Sequence, residues 1–474
     1  MKKSGTALVV SAALFAMLLM AAGTDATDYP ESGLLSIFHP GYEFFSHTDM
    51  DPVSVPPPRE DCGVMLLTEG EDSFEWRIRT LKRARESIRI QTYIFTADEL
   101  GKRVADRLKR KRRHGVKVQL IVDAYTKFKT ADRRMYADLE LKGVSVMGYE
   151  PVYLLGTIND RILQVDEVNM RFHEKYWVID DEVSFLGGTN IANEYGRWGT
   201  DPNDMWRDQD VLLTGEVVDD VARAFDQNYE YFLKRRLDRL LVNRPAFWAK
   251  LWWEVSDTKP PPVGPDGQPL PKLTQGTETE PATVRFVRSR PRHQEDYVYQ
   301  AYLHLLREAK ETILIENAYF VPNRPILDAL IEARQRGVEV IVITNSETTN
   351  DVSGMQPLTR YSYQPLMEEG VVIYEWQGDH RGFGSLHSKF MVVDGKVSVI
   401  GSFNLDPRSI YLNSENVVLI HSEKVAKDLT AYVDRHDIEN SERITMEEAR
   451  EWREPSDIRD QFKLMFGIAL EDWY

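Results

Sequence analysis

At 474 residues the chain is long enough for two or more domains with full cores, and 42% hydrophobic with 28% charged residues is a globular composition. A formal charge of −16 argues against broad nucleic-acid affinity, which rests on neutralising phosphates with Lys and Arg, and against general adhesion to anionic lipid, although a local basic patch could still act. The single cysteine, Cys62, excludes an intrachain disulfide.

Residues 1–26 read as a signal peptide or N-terminal anchor. Lys2-Lys3 precedes an apolar core from Ala7 to Ala22, and small residues follow at Ala21-Ala22-Gly23 and Ala26. The run is slightly short for a spanning helix, which favours a cleaved signal. Export across a bacterial inner membrane is therefore expected, to a periplasmic, inner-membrane-associated or secreted location. Residues 27–60 form a Pro-rich lead-in, stiffened by Pro56-Pro57-Pro58 and expected to be irregular.

A strand–helix–strand unit follows. Ser87 to Phe95 is strand-like, a helix runs to about His114, and Gly115 to Asp123 is strand-like again. The same order recurs at Thr312 to Phe320 and Gly337 to Asn345. This is a βαβ unit with parallel strands, present twice, so whole domains are duplicated. The expected boundaries are a first domain at 61–256, a Pro/Gly linker at 257–283 and a second domain at 284–474. The basic run Arg107 to His114 reads as a solvated helix face, with contact to anionic headgroups as the alternative. Residues 148–172 lead on, with the apolar patch Tyr153 to Gly156 serving either as core or as a cleft wall.

The next stretch carries the chemistry. His173-x-Lys175 runs through the apolar Tyr176 to Ile179 to Asp180, then to Gly187 and Asn190. His387-x-Lys389 runs through Phe390 to Val393 to Asp394, then to Gly401 and Asn404. Each pair lies at one offset, 214 residues (387 − 173, 404 − 190 and likewise between). One His-x-Lys is a weak signal; two copies with the same downstream Asp, Gly and Asn are a strong one. Each apolar run reads as a buried strand entering a hairpin, with Asp394-Gly395 a better turn than Asp180-Asp181. Residues two apart on a strand share a face, so each His projects with its Lys. Gly187 and Gly401 are expected to turn the chain tightly, returning Asn190 and Asn404 to the same end. A histidine can be nucleophile or general acid, and lysines with asparagine amides can hold phosphate oxygens. Phosphodiester chemistry needs one histidine to attack phosphorus and one to protonate the leaving oxygen, so the two motifs predict one shared site. Asp180 and Asp394 are counted with the catalytic set, a role in the hairpins alone being equally open.

Residues 195–206 hold Tyr195, Trp198 and Trp206 among Gly and Asp and have no equivalent in the second half, where loops of this kind select substrate. Arg223 to Leu251 reads helical. At the far end, the apolar tail Phe462 to Tyr474 either docks on its own domain or lies in a membrane interface.

The paired His-x-Lys-x4-Asp-x6-Gly stretches resemble the phospholipase D superfamily. The run Gly401-Ser402-Phe403-Asn404-Leu405-Asp406-Pro407-Arg408-Ser409 through Asn413-Ser414-Glu415 is similar to bacterial cardiolipin synthases of the C type. The resemblance covers about Cys62 to Val433. It implies an α/β fold, an α-β-α sandwich of two tandem phospholipase D-like domains related by a pseudo-two-fold, with one shared active site. It also implies a phosphohistidine intermediate, no metal and no cofactor, with His173 as nucleophile and His387 as acid. A carboxylate is implied behind each histidine: Glu415 fits the second motif, and Asp208 is chosen for the first, with Asp210 as the alternative. The expected activity is phosphatidyl transfer to an alcohol such as phosphatidylglycerol, with a phospholipid substrate, a membrane surface as partner and no nucleic acid. The alternatives are a phospholipase D hydrolase yielding phosphatidic acid, then a nuclease or an inactive binding protein.

Overall fold

The strand-like runs of the duplicated units become a single sheet in the computed structural model, which describes residues 33–39, 41–45, 54–123, 129–149, 170–199, 201, 204–240, 273, 277–352, 354–379 and 384–453. The expected signal, the patch at Tyr153 to Gly156, most of the linker and the apolar tail lie outside the described residues. In the first half the strands are β1 (Arg59–Leu67), β2 (Ser87–Thr92), β3 (Lys117–Asp123), β4 (Ser145–Tyr149), β5 (Tyr176–Ile179), β6 (Val183–Gly187) and β7 (Asp210–Thr214). In the second they are β8 (Glu280–Ser289), β9 (Thr312–Asn317), β10 (Glu339–Asn345), β11 (Val372–Trp376), β12 (Lys389–Val393), β13 (Val397–Gly401), β14 (Glu415–His421) and β15 (Ser441–Arg443).

The spatial order is β15-β11-β10-β9-β12-β13-β14-β8-β1-β7-β6-β5-β2-β3-β4. Read outward from the antiparallel β8–β1 contact, both halves give the same sequence of strands, with β15 added at one edge. This is a pseudo-two-fold through the middle of the sheet. Within each half, β2–β3–β4 and β9–β10–β11 are parallel, as a βαβ connection requires. The strand β8 begins at Glu280, inside the stretch expected as linker, because Glu280 and Pro281 register against Val64 and Gly63 of β1.

The short apolar runs are buried on both faces. Tyr176 and Val178 of β5 enter a central core, whereas Trp177 and Ile179 enter a core of the first half. Phe390 and Val392 of β12 share the central core, and Met391 and Val393 enter a core of the second half. Helices cover each face, which is why these strands read as unbroken apolar runs and not as alternation. Helices α1 (Gly70–Arg83) and α2 (Glu99–Arg113) pack on the first half. Helix α3 (Val217–Leu240) and helix α5 (Glu423–Tyr432) meet in the central core, and α4 (Tyr297–Glu308) packs on the second half. The described part of the helix expected over Arg223 to Leu251 starts earlier, at Val217.

The lead-in is more ordered than its prolines suggest. Leu34–Phe38 forms a 3-10 turn, and Leu34, Ile37, Tyr42, Phe44 and Val55 are buried in the core of the second half. Arg285 of β8 holds it there, with its Nε donating to the Pro56 carbonyl at 3.0 Å and its guanidinium 5.0 Å from the Phe44 ring. The segment that precedes the first repeat thus closes the second.

Candidate active site

Each His-x-Lys enters its strand under control of the opposite half. The His173 N–H donates to the Ser414 carbonyl at 2.9 Å, and the Ser414 N–H returns a bond to Arg171 at 2.8 Å. The His387 N–H donates to the Arg207 carbonyl at 2.7 Å, and the Arg207 N–H to Ser385 at 2.9 Å. The chain segments before β7 and β14 therefore reach across the pseudo-two-fold, and each carries a carboxylate to the other half's histidine. His173 Nδ1 lies 2.9 and 3.0 Å from the two Glu415 oxygens, and His387 Nδ1 lies 2.7 Å from Asp208 Oδ2. This corrects the expected assignment, in which Glu415 belonged to the second motif and Asp208 to the first. Nearness in sequence pointed to the same half. The sheet order sets β7 and β14 on the inner side of each hairpin, facing across β1 and β8.

With Nδ1 turned to a carboxylate, each ring presents its Nε2 to the site, as a lone pair for attack or, when protonated, as a proton donor. Burial depresses the His173 imidazole to about 4 despite the nearby Glu415 charge. It depresses His387 well below its ordinary value, and the charges of Lys389, Lys175 and His173 push in the same direction. Groups from both halves thus act on one ring, as a shared site requires. Both lysines are buried, and each Nζ donates to the carbonyl of its own histidine, Lys175 at 2.8 Å. Burial lowers Lys175 to about 7 and Lys389 to about 8, so a phosphate arriving between them would meet ammonium groups short of counter-charge.

The asparagines divide. Asn190 Oδ1 accepts from the Ile94 N–H at 2.9 Å, and its Nδ2 donates to Tyr195 OH at 2.9 Å, so much of its capacity is committed to structure. Asn404 is equally buried, with Oδ1 unpartnered, and the matching backbone duty falls to Asn317, which accepts from the Tyr319 N–H at 3.3 Å.

Asp180 and Asp394 do not join the site. Each sits at the far end of its strand, in a hairpin turn with φ of 53° and 52°. Asp180 accepts from the N–H groups of Arg85, Glu86 and Ser87, and Asp394 from those of Lys310, Glu311 and Thr312. They tie each hairpin to the start of the neighbouring antiparallel strand, β2 or β9. Gly187 and Gly401 also differ from expectation. Neither has positive φ; a Cβ at Gly187 would come 2.3 Å from the Gln209 carbonyl, and one at Gly401 2.1 Å from that of Asn416. Close strand approach, not a turn, requires glycine here.

Sequence reasoning set Tyr195 and Trp206 in a substrate-selecting stretch but missed that they flank His387, and it missed Tyr93 and Tyr319. Tyr195 meets His387 edge-on at 5.1 Å, Trp206 lies at 5.2 Å and Tyr319 at 6.4 Å, whereas Tyr93 meets His173 at 5.1 Å. Two of these rings come from the stretch that breaks the repeat, where Asp208 lies 35 residues after His173 but Glu415 only 28 after His387 (208 − 173, 415 − 387). It also missed the serine hydroxyls of Ser402 and Ser409, which both donate to Glu415.

A family model described as cardiolipin synthase, PLD-like domain, matches the chain twice, at residues 78–230 and 302–436. The chain is 30% identical over 367 residues to a cardiolipin synthase of Geobacillus kaustophilus, covering 76% of this chain and 64% of that protein. It is 29% identical over 365 residues to a cardiolipin synthase of Clostridium perfringens, covering 77% and 68%. The chain thus spans about two thirds of the length of these relatives. Among solved structures, a phosphatidylserine synthase of Haemophilus influenzae superposes with a TM-score of 0.60 at 16% identity, over 86% of this chain and 95% of that one, which is a likeness of fold.

Proposed function

This chain belongs to the cardiolipin synthase, phospholipase D-like family, and from that premise we propose that it is a phosphatidyltransferase, moving a phosphatidyl group through a phosphohistidine to an alcohol such as phosphatidylglycerol. The observation that carries the reading is the crossed pair of His–carboxylate contacts, His173 with Glu415 and His387 with Asp208. In the first step His173 Nε2 bonds to phosphorus. The bond from phosphorus to the leaving oxygen breaks with its electron pair, and that oxygen takes a proton from His387. In the second step an acceptor oxygen bonds to phosphorus, its proton passes to His387, and the phosphorus–nitrogen bond breaks to restore the imidazole. Lys175, Lys389 and the Asn404 amide hold the phosphate oxygens.

The electrostatics support His173 as nucleophile, the order that the family resemblance implies. Burial pushes Glu415 up, but its contact with His173, the Lys175 charge and the Ser402 hydroxyl outweigh that, and the carboxyl stays below its ordinary value. An ionised carboxylate stabilises the positive charge that a nucleophilic imidazole acquires. Asp208 has less support, and burial raises it to about 6. In the His387–Asp208 pair it is the carboxyl that rises toward neutrality while the imidazole is depressed, unlike the His173–Glu415 pair, whose carboxyl stays low.

Among the described residues no helix is long and apolar enough to cross a membrane. Work at a membrane surface after export is supported by the N-terminal basic-then-apolar pattern. The test is lipid mass spectrometry of cells making the protein, with His173→Ala and His387→Ala as controls. New cardiolipin-type lipid that disappears in both variants is the expected result. Phosphatidic acid as the main product would replace transfer by hydrolysis, and wild-type-like activity in either variant would remove the two-histidine mechanism.

A further inference from the structure

The mouth of the site beside His387 carries a group that phosphate binding does not need. Asp351 follows β10 and is exposed, yet its carboxylate is anchored, with Oδ1 accepting from Tyr319 OH at 2.7 Å. The Val352 N–H donates to Asn350 Oδ1 at 2.9 Å, closing a turn around Asp351. Val352 and Tyr319 pack together against Val321, Met355 and Leu358. The Tyr319 ring stands edge-on to His387, and Lys389 Nζ lies 5.9 Å from its centre. A carboxylate here repels the phosphate oxygens that Lys389 would attract. Its presence is intelligible if it meets something other than phosphate. In a phosphatidyl transfer, the groups that donate hydrogen bonds to a carboxylate are the hydroxyls of the acceptor. In the duplicated unit the position matching Tyr319 is Ile94, and the tyrosine ring beside His173 comes from Tyr93 instead. The Asp351–Tyr319 pair lies on the side whose histidine handles the oxygens of leaving and incoming alcohols.

We propose that Asp351, positioned by Tyr319, reads a second hydroxyl of the acceptor while the first attacks phosphorus, and so favours a glycerol-like acceptor over a simple alcohol or water. This rests on the transferase reading above. The attacking hydroxyl gives its proton to His387 as the bond from phosphorus to His173 breaks, the electron pair returning to the imidazole. Asp351 takes no proton; it accepts a hydrogen bond.

The full chain is supplied with phosphatidylglycerol vesicles and equal concentrations of deuterated glycerol and propan-1-ol. Deuterated phosphatidylglycerol, phosphatidylpropanol and phosphatidic acid are then separated by mass spectrometry. Asp351→Asn, which keeps the size and the contact with Tyr319, should lower the ratio of the first product to the second about tenfold, the scale of one hydrogen bond to a charged group, through KM for glycerol. Tyr319→Phe should lower the same ratio by less, and Asp351→Glu should restore part of it. An unchanged ratio in Asp351→Asn, or an equal loss of all three products, overturns the proposal. A wild-type chain that forms neither transfer product, only phosphatidic acid or nothing, overturns the transferase reading instead, and the inference with it.

Discussion

The two half-sites share a backbone and differ in the company of their histidines. Glu415, facing His173, receives the hydroxyls of Ser402 and Ser409. Asp208, facing His387, is one methylene shorter and receives the Gln209 N–H at 2.8 Å. The positions matching the two serines are Gly188 and Tyr195, each 214 residues earlier (402 − 188, 409 − 195). A Cβ at Gly188 would come 2.1 Å from Asp208 Oδ1, so no serine fits there, and Tyr195 turns its ring to His387 instead. One carboxyl is held below its ordinary value and the other rises to about 6. A few side chains thus divide a duplicated scaffold into one side suited to nucleophilic attack and one suited to proton transfer.

The largest expected effects test that division directly. His173→Ala should abolish turnover of any phosphatidyl donor, because no covalent intermediate can form. His387→Ala should cost about 10²–10⁴-fold with a natural alcohol leaving group, the usual range for a general acid. With a p-nitrophenyl leaving group, which departs without protonation, His387→Ala should recover most of its first-step rate and His173→Ala none. Recovery in the opposite variant would exchange the two roles. Next come the crossed pairs. Glu415→Gln and Asp208→Asn should each cost about 10²-fold in kcat/KM, as expected when the carboxylate that orients a catalytic histidine is neutralised. Glu415→Gln should add little to His173→Ala in single-turnover rate, and Asp208→Asn little to His387→Ala, because members of one unit are not additive. Coupling within a motif, Glu415 with His387, would contradict the crossed geometry.

How far the sequence already contained this arrangement varies from feature to feature. The hairpins were legible because a four- or five-residue apolar run ending in Asp-Gly or Asp-Asp leaves few alternatives, and both turns do take positive φ. The doubled βαβ unit was legible from repetition alone. The crossed carboxylates were not, because pairing depends on β8 meeting β1 at the centre of the sheet, a contact between strands about 220 residues apart (280 − 64, 284 − 59) that no local pattern encodes. The lead-in was misjudged for a related reason: Leu34, Ile37, Tyr42 and Phe44 show no period, and their burial is decided by the second half's core. The motif aspartates were legible as turn residues, but the three N–H groups that each one holds lie more than eighty residues away in sequence.

The serines offer a smaller and sharper test through pH. Glu415 must be ionised to support His173, and its carboxyl now lies below its ordinary value, so activity is lost as pH falls through that depressed pKa. Removing a hydroxyl that donates to the carboxylate raises the pKa. Ser402→Ala or Ser409→Ala, each removing one such bond, should therefore move the acid limb of kcat/KM upward by about one to two pH units, taking about 1.5–3 kcal/mol for a hydrogen bond to a charged group and 1.36 per unit. The alkaline limb, which reports the His387–Asp208 proton, should stay in place. If the acid limb does not move, the serines have only a packing role and the asymmetry between the two carboxyls has another source.

The weakest effect on chemistry is expected where the two halves are most alike. Asp180 and Asp394 occupy matching turns, accept matching sets of backbone N–H groups and stand away from both histidines. Losing either removes the carboxylate that accepts three backbone N–H bonds, so Asp180→Ala and Asp394→Ala should each destabilise the fold by about 2 kcal/mol, the scale of a charge-assisted hydrogen bond. Below the lowered unfolding temperature, kcat should stay within about threefold of wild type in both variants, since Lys175 and Lys389 keep their buried contacts with the histidine carbonyls. Unfolding followed by circular dichroism, paired with initial rates at low temperature, separates the two quantities. A large fall in kcat with unchanged stability in either variant would return these aspartates to the reacting centre, and a fall in only one would show that the turns, too, had diverged between the halves.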